Sequence, residues 1–306
     1  MRERRFAIAG IFISAALVLS GCATSAQGSS TGGKIVAVGA ENEYADVISQ
    51  IGGDYVNVTA IMSNPNTDPH TFEASASVAK TLSQAQLVVQ NGVGYDDFMA
   101  TLEKASPNSD RRVIVAQKVL GLPDSTPNPH LWYDPKTMPA VATAITEQLS
   151  HIQPEHTAYF QKRLTAFTQS LSSFTDSIAA FKQQYAGTPV AVTEPVADYL
   201  LEAVGVDVKT PWSLQAAIMN DTDPSPQDSA EQDALLTGKH VRVFLYNQQV
   251  TDSITQHYLD VAKANDIPVV GVYETMPTGY TYQKWMQAEL AALKNAVVSG
   301  TSTEKL

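Results

Sequence analysis

A chain of 306 residues, with 44% hydrophobic and 17% charged residues, can form two lobes of about 100 to 150 residues each and is too apolar for global disorder. Its net charge of −11 argues against nucleic acid as a partner, because phosphates demand a basic surface. The single cysteine, Cys22, excludes a disulfide within the chain.

Residues 1–21 are predicted to be a signal peptide. Three arginines precede an apolar run over residues 6–19, which is too short for a membrane span. The following sequence, Leu19-Ser20-Gly21-Cys22, is similar to a bacterial lipobox, which predicts cleavage before Cys22 and lipidation of this residue. An ordinary secretory signal is the alternative. Residues 22–33, rich in Ser, Thr and Gly, are typical of a flexible tether.

Short apolar runs alternate with helical patterns over residues 34–150, which predicts a first α/β lobe. The predicted strands are 34–38, 56–62, 87–90 and 113–115. The predicted helices are 43–51, 74–82, 96–104 and 138–149. Alternation of this kind is typical of a parallel sheet built from βαβ units.

After Pro154, apolar residues recur every three or four positions, with no glycine or further proline until Gly187. This pattern predicts one helix of about 30 residues, roughly 45 Å long. We therefore expect residues 151–187 to form a spine that joins two lobes. Such a spine should limit lobe motion to a few degrees of rocking.

Residues 188–306 repeat the alternation and predict a second α/β lobe. Its predicted strands are 189–193, 241–245 and 267–272. Its predicted helices are 196–204, 229–236, 252–264 and 282–298, and residues 212–226 are predicted to be irregular and polar. The expected fold is thus two lobes of parallel-sheet βαβ units joined by one long spine helix.

Two histidines directly follow proline in polar loops. His70 follows the second predicted strand, and His130 lies in Pro129–Pro135, where the two prolines stiffen the backbone. We interpret the two imidazoles as ligands of one metal ion, although a lone Pro-His is more often a solvated turn.

Two glutamates end predicted strands of the second lobe. Glu194 ends the strand that opens this lobe, and Glu274 ends the last strand. Ligands of open parallel sheets bind outside the carboxyl ends of strands, so both carboxylates are candidates for the same site as the histidines. A helix N-terminal carboxylate and a surface turn residue are the respective alternatives.

These loops give the chain a resemblance to the cluster A-I substrate-binding proteins of zinc and manganese ABC transporters. Asp68–Glu73 resembles the first-ligand loop of that family, and Asn128–Pro135 resembles its second. Thr193–Leu200 and Tyr273–Thr275 fall where the family carries its third and fourth ligands. The resemblance implies four metal ligands: His70, His130, Glu194 and Glu274.

The chain departs from this family at some positions. Asn128 stands where the family usually has aspartate, and Asn247 ends a strand that often ends in glutamate. A His-rich loop, frequent in the zinc members, is not visible after His70. We expect Asp134 to lie behind the ligands and accept a hydrogen bond from an imidazole N–H.

The resemblance implies an extracytoplasmic lipoprotein, anchored to the cell membrane through Cys22, that is a monomer and not an enzyme. It would capture a divalent transition metal between its lobes and deliver it to an ABC permease driven by an ATPase. Two imidazoles and two carboxylates suit Mn, Zn or Fe. Bidentate carboxylates would favour Mn, and we expect Mn over Zn. The alternatives are a secreted metallohydrolase and a lipoprotein adhesin.

Overall fold

The computed structural model describes residues 33–66 and 69–306. These residues contain two four-stranded parallel sheets. The predicted signal peptide, Cys22 and the tether up to residue 32 lie outside the described residues, as do Thr67 and Asp68 in the first histidine loop. The prediction of two parallel-sheet lobes joined by a helical spine is confirmed.

The first lobe contains one sheet and five α-helices. Its strands are β1 (Ile35–Glu41), β2 (Val56–Met62), β3 (Leu87–Gln90) and β4 (Arg112–Val115). Its helices are α1 (Asn42–Gly52), α2 (Ala76–Gln84), α3 (Phe98–Ala105), α4 (Ala116–Val119) and α5 (Thr137–Ile152). The short helix α4 was not predicted.

The spine and the second lobe complete the described chain. The spine helices are α6 (Thr157–Ser170) and α7 (Ser172–Tyr185). The strands of the second sheet are β5 (Pro189–Val192), β6 (Asp207–Val208), β7 (Val243–Asn247) and β8 (Val269–Val272). The remaining helices are α8 (Asp198–Val204), α9 (Trp212–Met219), α10 (Pro226–Thr237), α11 (Ser253–Ala264) and α12 (Tyr282–Ser299). In the part of the chain that the structure describes, no helix combines the length and apolar character needed to cross a bilayer.

The two sheets have the same topology. Their strand orders are β2-β1-β3-β4 and β6-β5-β7-β8, and every pairing is parallel. In each sheet the second strand in the chain (β2 or β6) pairs with one edge of the first strand (β1 or β5), and the third strand (β3 or β7) pairs with its other edge. This creates a switch point where loops diverge at the carboxyl ends of the strands, which is where open α/β sheets bind their ligands.

The predicted spine over residues 151–187 is not one helix. Its first residues belong to the end of α5, Gln153 is non-helical, and a 3₁₀ turn at Pro154–His156 leads into α6. A second interruption separates α6 from α7 at Leu171. Leu171 keeps right-handed helical angles, with φ −83° and ψ −11°. Its N–H donates to the Thr168 carbonyl oxygen, three residues back, so this turn is tighter than an α-helix. The Ser170 hydroxyl also donates to the Phe167 carbonyl oxygen at 2.6 Å, a side chain-to-backbone bond that often bends helices.

The prediction of an irregular segment over residues 212–226 was wrong. Residues 212–219 form α9, which packs Leu214 and Ile218 into the core one helical turn apart. The next helix begins inside the same segment, because the Ser225 side chain caps it by accepting from Asp228 N at 3.1 Å. The polar residues between the two helices obscured this short apolar pair.

Buried side chains from both sheets and the spine form one continuous hydrophobic cluster, which includes Ile35, Leu87, Phe160, Phe174, Val190 and Val270. Direct hydrogen bonds also join the lobes. The Asn42 amide donates to Met276 O at 2.8 Å and accepts from Met276 N at 3.0 Å. The lobes therefore share a core and a polar seam, and the carboxyl ends of their strands face this seam.

Candidate metal-binding site

The four predicted ligands all follow carboxyl ends of strands. His70 lies in a short 3₁₀ turn after β2, and His130 directly precedes another such turn after β4. Glu194 and Glu274 each lie two residues beyond a strand of the second sheet, β5 and β8. Parallel topology thus brings side chains from distant parts of the sequence to one seam.

His70, His130 and Glu274 come together in this seam. His70 Nε2 lies 3.1 Å from Glu274 Oε2, and His130 Nε2 lies 3.2 Å from the same oxygen. One ligand atom from each residue lies within 4.8 Å of the other two. Ligand atoms around a tetrahedral ion with bonds of about 2.1 Å would be about 3.4 Å apart, so the two distances to Glu274 Oε2 are close to the spacing that such an ion requires.

The hydrogen bonds of His130 define which ring nitrogen holds the proton. Asn128 Nδ2 donates to Pro195 O at 2.8 Å, and Asn128 Oδ1 accepts from His130 N at 3.0 Å, which orients the amide. The same Oδ1 lies 2.8 Å from His130 Nδ1, so Nδ1 must be the protonated nitrogen. In the neutral ring, Nε2 then directs a lone pair at the Glu274 carboxylate. A cation between these two acceptors would remove the repulsion.

The pKa shifts of His130 and Glu274, which are both buried, favour the protonation states that bind a metal ion. Burial lowers the pKa of His130, although the Glu274 carboxylate partly opposes this shift. Burial alone would raise the pKa of Glu274, but the hydrogen bonds and charge that His130 and His70 offer in their protonated forms outweigh burial and hold this pKa below its usual value. A metal ion needs neutral imidazoles and ionised carboxylates, which are the forms that both shifts favour.

Glu194 is buried in the same seam but is not one of the three clustered groups. Its Oε1 accepts from Asn247 Nδ2 at 3.1 Å, and the same nitrogen donates to Glu274 Oε1 at 2.7 Å. Asn247 thus joins the predicted third and fourth ligands. The sequence singled out Asn247 only as a departure from the family pattern, although its place at a strand end was a usable signal.

Asp134 was expected to accept from an imidazole N–H, and at His130 the structure places Asn128 in that role. Asn128 occupies the acceptor position at Nδ1 of this imidazole, and Nε2 faces Glu274. Asp134 instead accepts from Lys136 N at 2.9 Å. The 3₁₀ turn Leu131–Tyr133 separates Asp134 from His130 along the chain.

Tyr95 was not predicted to belong to the site, but its hydroxyl donates to Glu274 Oε2 at 3.1 Å. The ring of Tyr95 also contacts both imidazoles and lies 4.9 Å, centroid to centroid, from buried Trp132. Tyr95 follows a turn at residues 92–94, in which φ is positive at three successive residues, including +57° at Val93. A tight turn after a strand end could have marked this residue as a candidate.

Glu289 is a further buried carboxyl, and it lies close to residues next to the ligands. The Tyr133 hydroxyl donates to Tyr273 O at 2.8 Å, which links the residue three positions after His130 to the residue before Glu274. Glu289 Oε1 on α12 accepts from Trp285 Nε1 at 3.0 Å and lies 3.3 Å from the Tyr133 hydroxyl. Burial raises the pKa of Glu289 to about 8, against the opposing effect of these two hydrogen bonds.

Comparison with known proteins identifies relatives along most of the chain. The manganese-binding lipoprotein MntA of Bacillus subtilis is 25% identical over 260 residues, which cover 81% of this chain and 82% of the relative. The zinc-binding protein TroA of Treponema pallidum is 24% identical over 239 residues, 76% of each chain.

Solved structures share the fold. The periplasmic zinc-binding protein TroA of Treponema pallidum superimposes with a TM-score of 0.73 at 20% identity, covering 89% of this chain and 100% of that chain. A manganese-bound periplasmic metal-binding protein of Candidatus Liberibacter asiaticus gives 0.69 at 16% identity, covering 86% of this chain and 100% of that chain. The profile of the family described as ZnuA, zinc-uptake complex component A, periplasmic, matches residues 38–296. The chain therefore belongs to the ZnuA family.

Proposed function

We propose that this protein is the extracytoplasmic metal-binding component of an ABC importer, with a divalent transition metal as its cargo. His70, His130, Glu194 and Glu274 are the proposed ligands. The ion would lie between the lobes, with both imidazoles from the first lobe and both carboxylates from the second. The donor set suits Mn or Zn, with Fe as a further candidate.

The proposal rests on the convergence of two imidazole Nε2 atoms on Glu274 Oε2. The hydrogen bond from His130 to Asn128 directs an unprotonated nitrogen at a carboxylate oxygen, an arrangement that a cation stabilises. The names of the relatives, which include a manganese-binding and a zinc-binding protein, agree with this interpretation.

The proposed role in transport implies particular partners and a particular location for this protein. One relative, PsaA of Streptococcus pneumoniae, is named as the manganese ABC transporter substrate-binding lipoprotein, which supports an ABC permease and its ATPase as partners of this chain. Lipidation of Cys22 would hold the protein at the cell membrane, outside the cytoplasm. We further propose that it acts as a monomer, without nucleic acid and without catalysing a reaction.

Calorimetric titration of chelator-treated protein with Mn, Zn and Fe(II), the last under anaerobic conditions, tests metal capture. The wild type should bind at least one of the three ions, and His130→Ala and Glu274→Gln should each weaken binding more than about 100-fold. This exceeds the 10- to 100-fold loss typical of a residue that only supports a ligand. His257→Ala is the matched control, because His257 is exposed and pairs with Asp233 on neighbouring helices.

Wild-type affinity in both ligand variants would contradict the proposed site. A secreted metallohydrolase and a lipoprotein adhesin are the alternatives, and in the described ranges no observation favours either over metal capture. Hydrolysis of peptides by the metal-loaded protein would support the first alternative. Binding of the metal-free protein to extracellular matrix would support the second.

A further inference from the structure

We propose that Asn247 sets the metal preference of the site by restricting Glu194 and Glu274 to one ligand oxygen each. This restriction favours a four-coordinate ion such as zinc over an ion that prefers six ligands, such as manganese. The inference rests on the proposed function, since it concerns which cargo the site selects. It differs from the expectation based on sequence, in which bidentate carboxylates favoured manganese.

The side-chain amide of Asn247 spans the two carboxylates. Asn247 is the last residue of β7, the strand that lies between β5 and β8, and it is fully buried. Its Nδ2 donates to Glu274 Oε1 at 2.7 Å and to Glu194 Oε1 at 3.1 Å. A carboxamide nitrogen has two hydrogens, so each carboxylate receives one.

The amide cannot exchange its oxygen and nitrogen without cost. Asn247 Oδ1 accepts from Gln249 N at 3.0 Å, and the backbone N–H of Asn247 donates to Thr193 Oγ1 at 3.1 Å. A flipped amide would direct its NH₂ group at the Gln249 N–H and its oxygen at two carboxylates. Both contacts would be repulsive, so the network defines which atom faces the carboxylates.

The two oxygens of Glu274 have separate roles. Oε1 is held by Asn247, while Oε2 faces the Nε2 atoms of His70 and His130. The backbone is held as well, because Gln249 Oε1 accepts from Glu274 N at 2.6 Å and from Thr275 N at 2.8 Å. Rotation of the carboxylate to offer both oxygens to one ion would break the 2.7 Å bond to Asn247 inside a buried site.

Zinc and manganese differ in the number of ligands that they prefer, so a limit on the oxygens that the two glutamates offer affects them differently. Two imidazoles and one oxygen from each glutamate supply four donors, the number that zinc takes in tetrahedral sites. Manganese prefers six ligands, mainly oxygens, and two bidentate glutamates would supply the additional two. By holding one oxygen of each glutamate, Asn247 therefore disfavours manganese more than zinc.

The experiment measures metal affinity and coordination in the wild type, Asn247→Ala and Asn247→Leu. Leucine approximates the volume of asparagine, so it tests the loss of the donors if the alanine variant collapses or fails to fold. Gln215→Ala is the control, because Gln215 is another buried amide of the second lobe and its Nε2 donates to Thr210 O. Competition titrations give the ratio of zinc to manganese affinity, and the visible spectrum of bound Co(II) reports coordination number.

We expect the wild type to bind Co(II) with the intense absorption of a four-coordinate ion. Both Asn247 variants should lose this intensity and lower the zinc-to-manganese affinity ratio by at least about tenfold. Tenfold corresponds to the low end of the effect of one charged hydrogen bond, and each variant removes two. Gln215→Ala should match the wild type in both measurements. An unchanged ratio and an unchanged spectrum in a folded Asn247 variant would overturn the inference and leave the proposed function intact. A wild type that binds none of the tested ions would overturn the proposed function itself.

Discussion

Replacement of Glu289 by glutamine should make the protein more stable at neutral and alkaline pH. Glu289 is buried on α12, where its Oε1 accepts from Trp285 Nε1 and lies near the Tyr133 hydroxyl. Glutamine retains this oxygen and the shape of the side chain. The change therefore removes a titratable proton while keeping the contacts behind the ligand loops.

Burial of Glu289 determines whether stability rises or falls with pH. Glu289 has a pKa of about 8 in the folded protein, against an ordinary value of 4.5 that applies when the chain is unfolded. Between these two pH values, the Glu289 carboxyl is ionised in the unfolded chain but protonated in the folded protein. The free energy of unfolding of the wild type is therefore highest below about pH 4.5 and decreases until about pH 8. Each unit of pKa difference is worth about 1.4 kcal/mol, so the wild type loses about 5 kcal/mol of unfolding free energy between these two pH values. The glutamine variant has no such loss because its side chain does not titrate.

Urea unfolding in the presence of chelator, followed by tryptophan fluorescence from pH 5 to pH 8.5, measures this difference. The variant should match the wild type near pH 5 and exceed it progressively up to pH 8. Glu147→Gln on α5 is the control, because an exposed carboxylate loses little hydration on folding and this variant should follow the wild-type profile. A constant difference between wild type and Glu289→Gln at every pH would refute the argument.

Three further predictions concern the site and the anchor. Zinc affinity, measured by calorimetry, should decline as the pH falls below the ordinary imidazole pKa of about 6.5, because protons compete for the imidazoles. Burial lowers the pKa of His130, so this ligand keeps its neutral form to lower pH than a free imidazole does; a flat profile down to pH 5 would argue against histidine ligation. Cys22→Ser should release the protein from membranes and abolish acyl labelling, and retention of the label would contradict lipidation at this residue. Metal loading should change the radius of gyration little in small-angle scattering, because the spine and the Asn42–Met276 hydrogen bonds join the lobes; a large decrease would contradict this.

Local pattern was sufficient for most helices and strands. The strand at 56–62 was predicted with the bounds that the structure has, because β-branched residues in a short run between helices favour extended backbone. The prediction for residues 212–226 failed because the two buried apolar side chains of α9, Leu214 and Ile218, are too few to show a helical period. The interruption at Leu171 coincides with a hydroxyl-to-carbonyl hydrogen bond from Ser170, which the periodicity of apolar residues does not reveal.

The sequence also marked His70 and His130, because prolines beside them restrict the backbone and make their loops recognisable. The supporting contacts depend on tertiary structure. Tyr95 reaches Glu274 across 179 positions in the chain, and Asn247 reaches Glu194 across 53. Such pairs meet only when parallel strands align their carboxyl ends at one seam, and a hydrogen bond depends on distances of a few ångströms that no local pattern encodes.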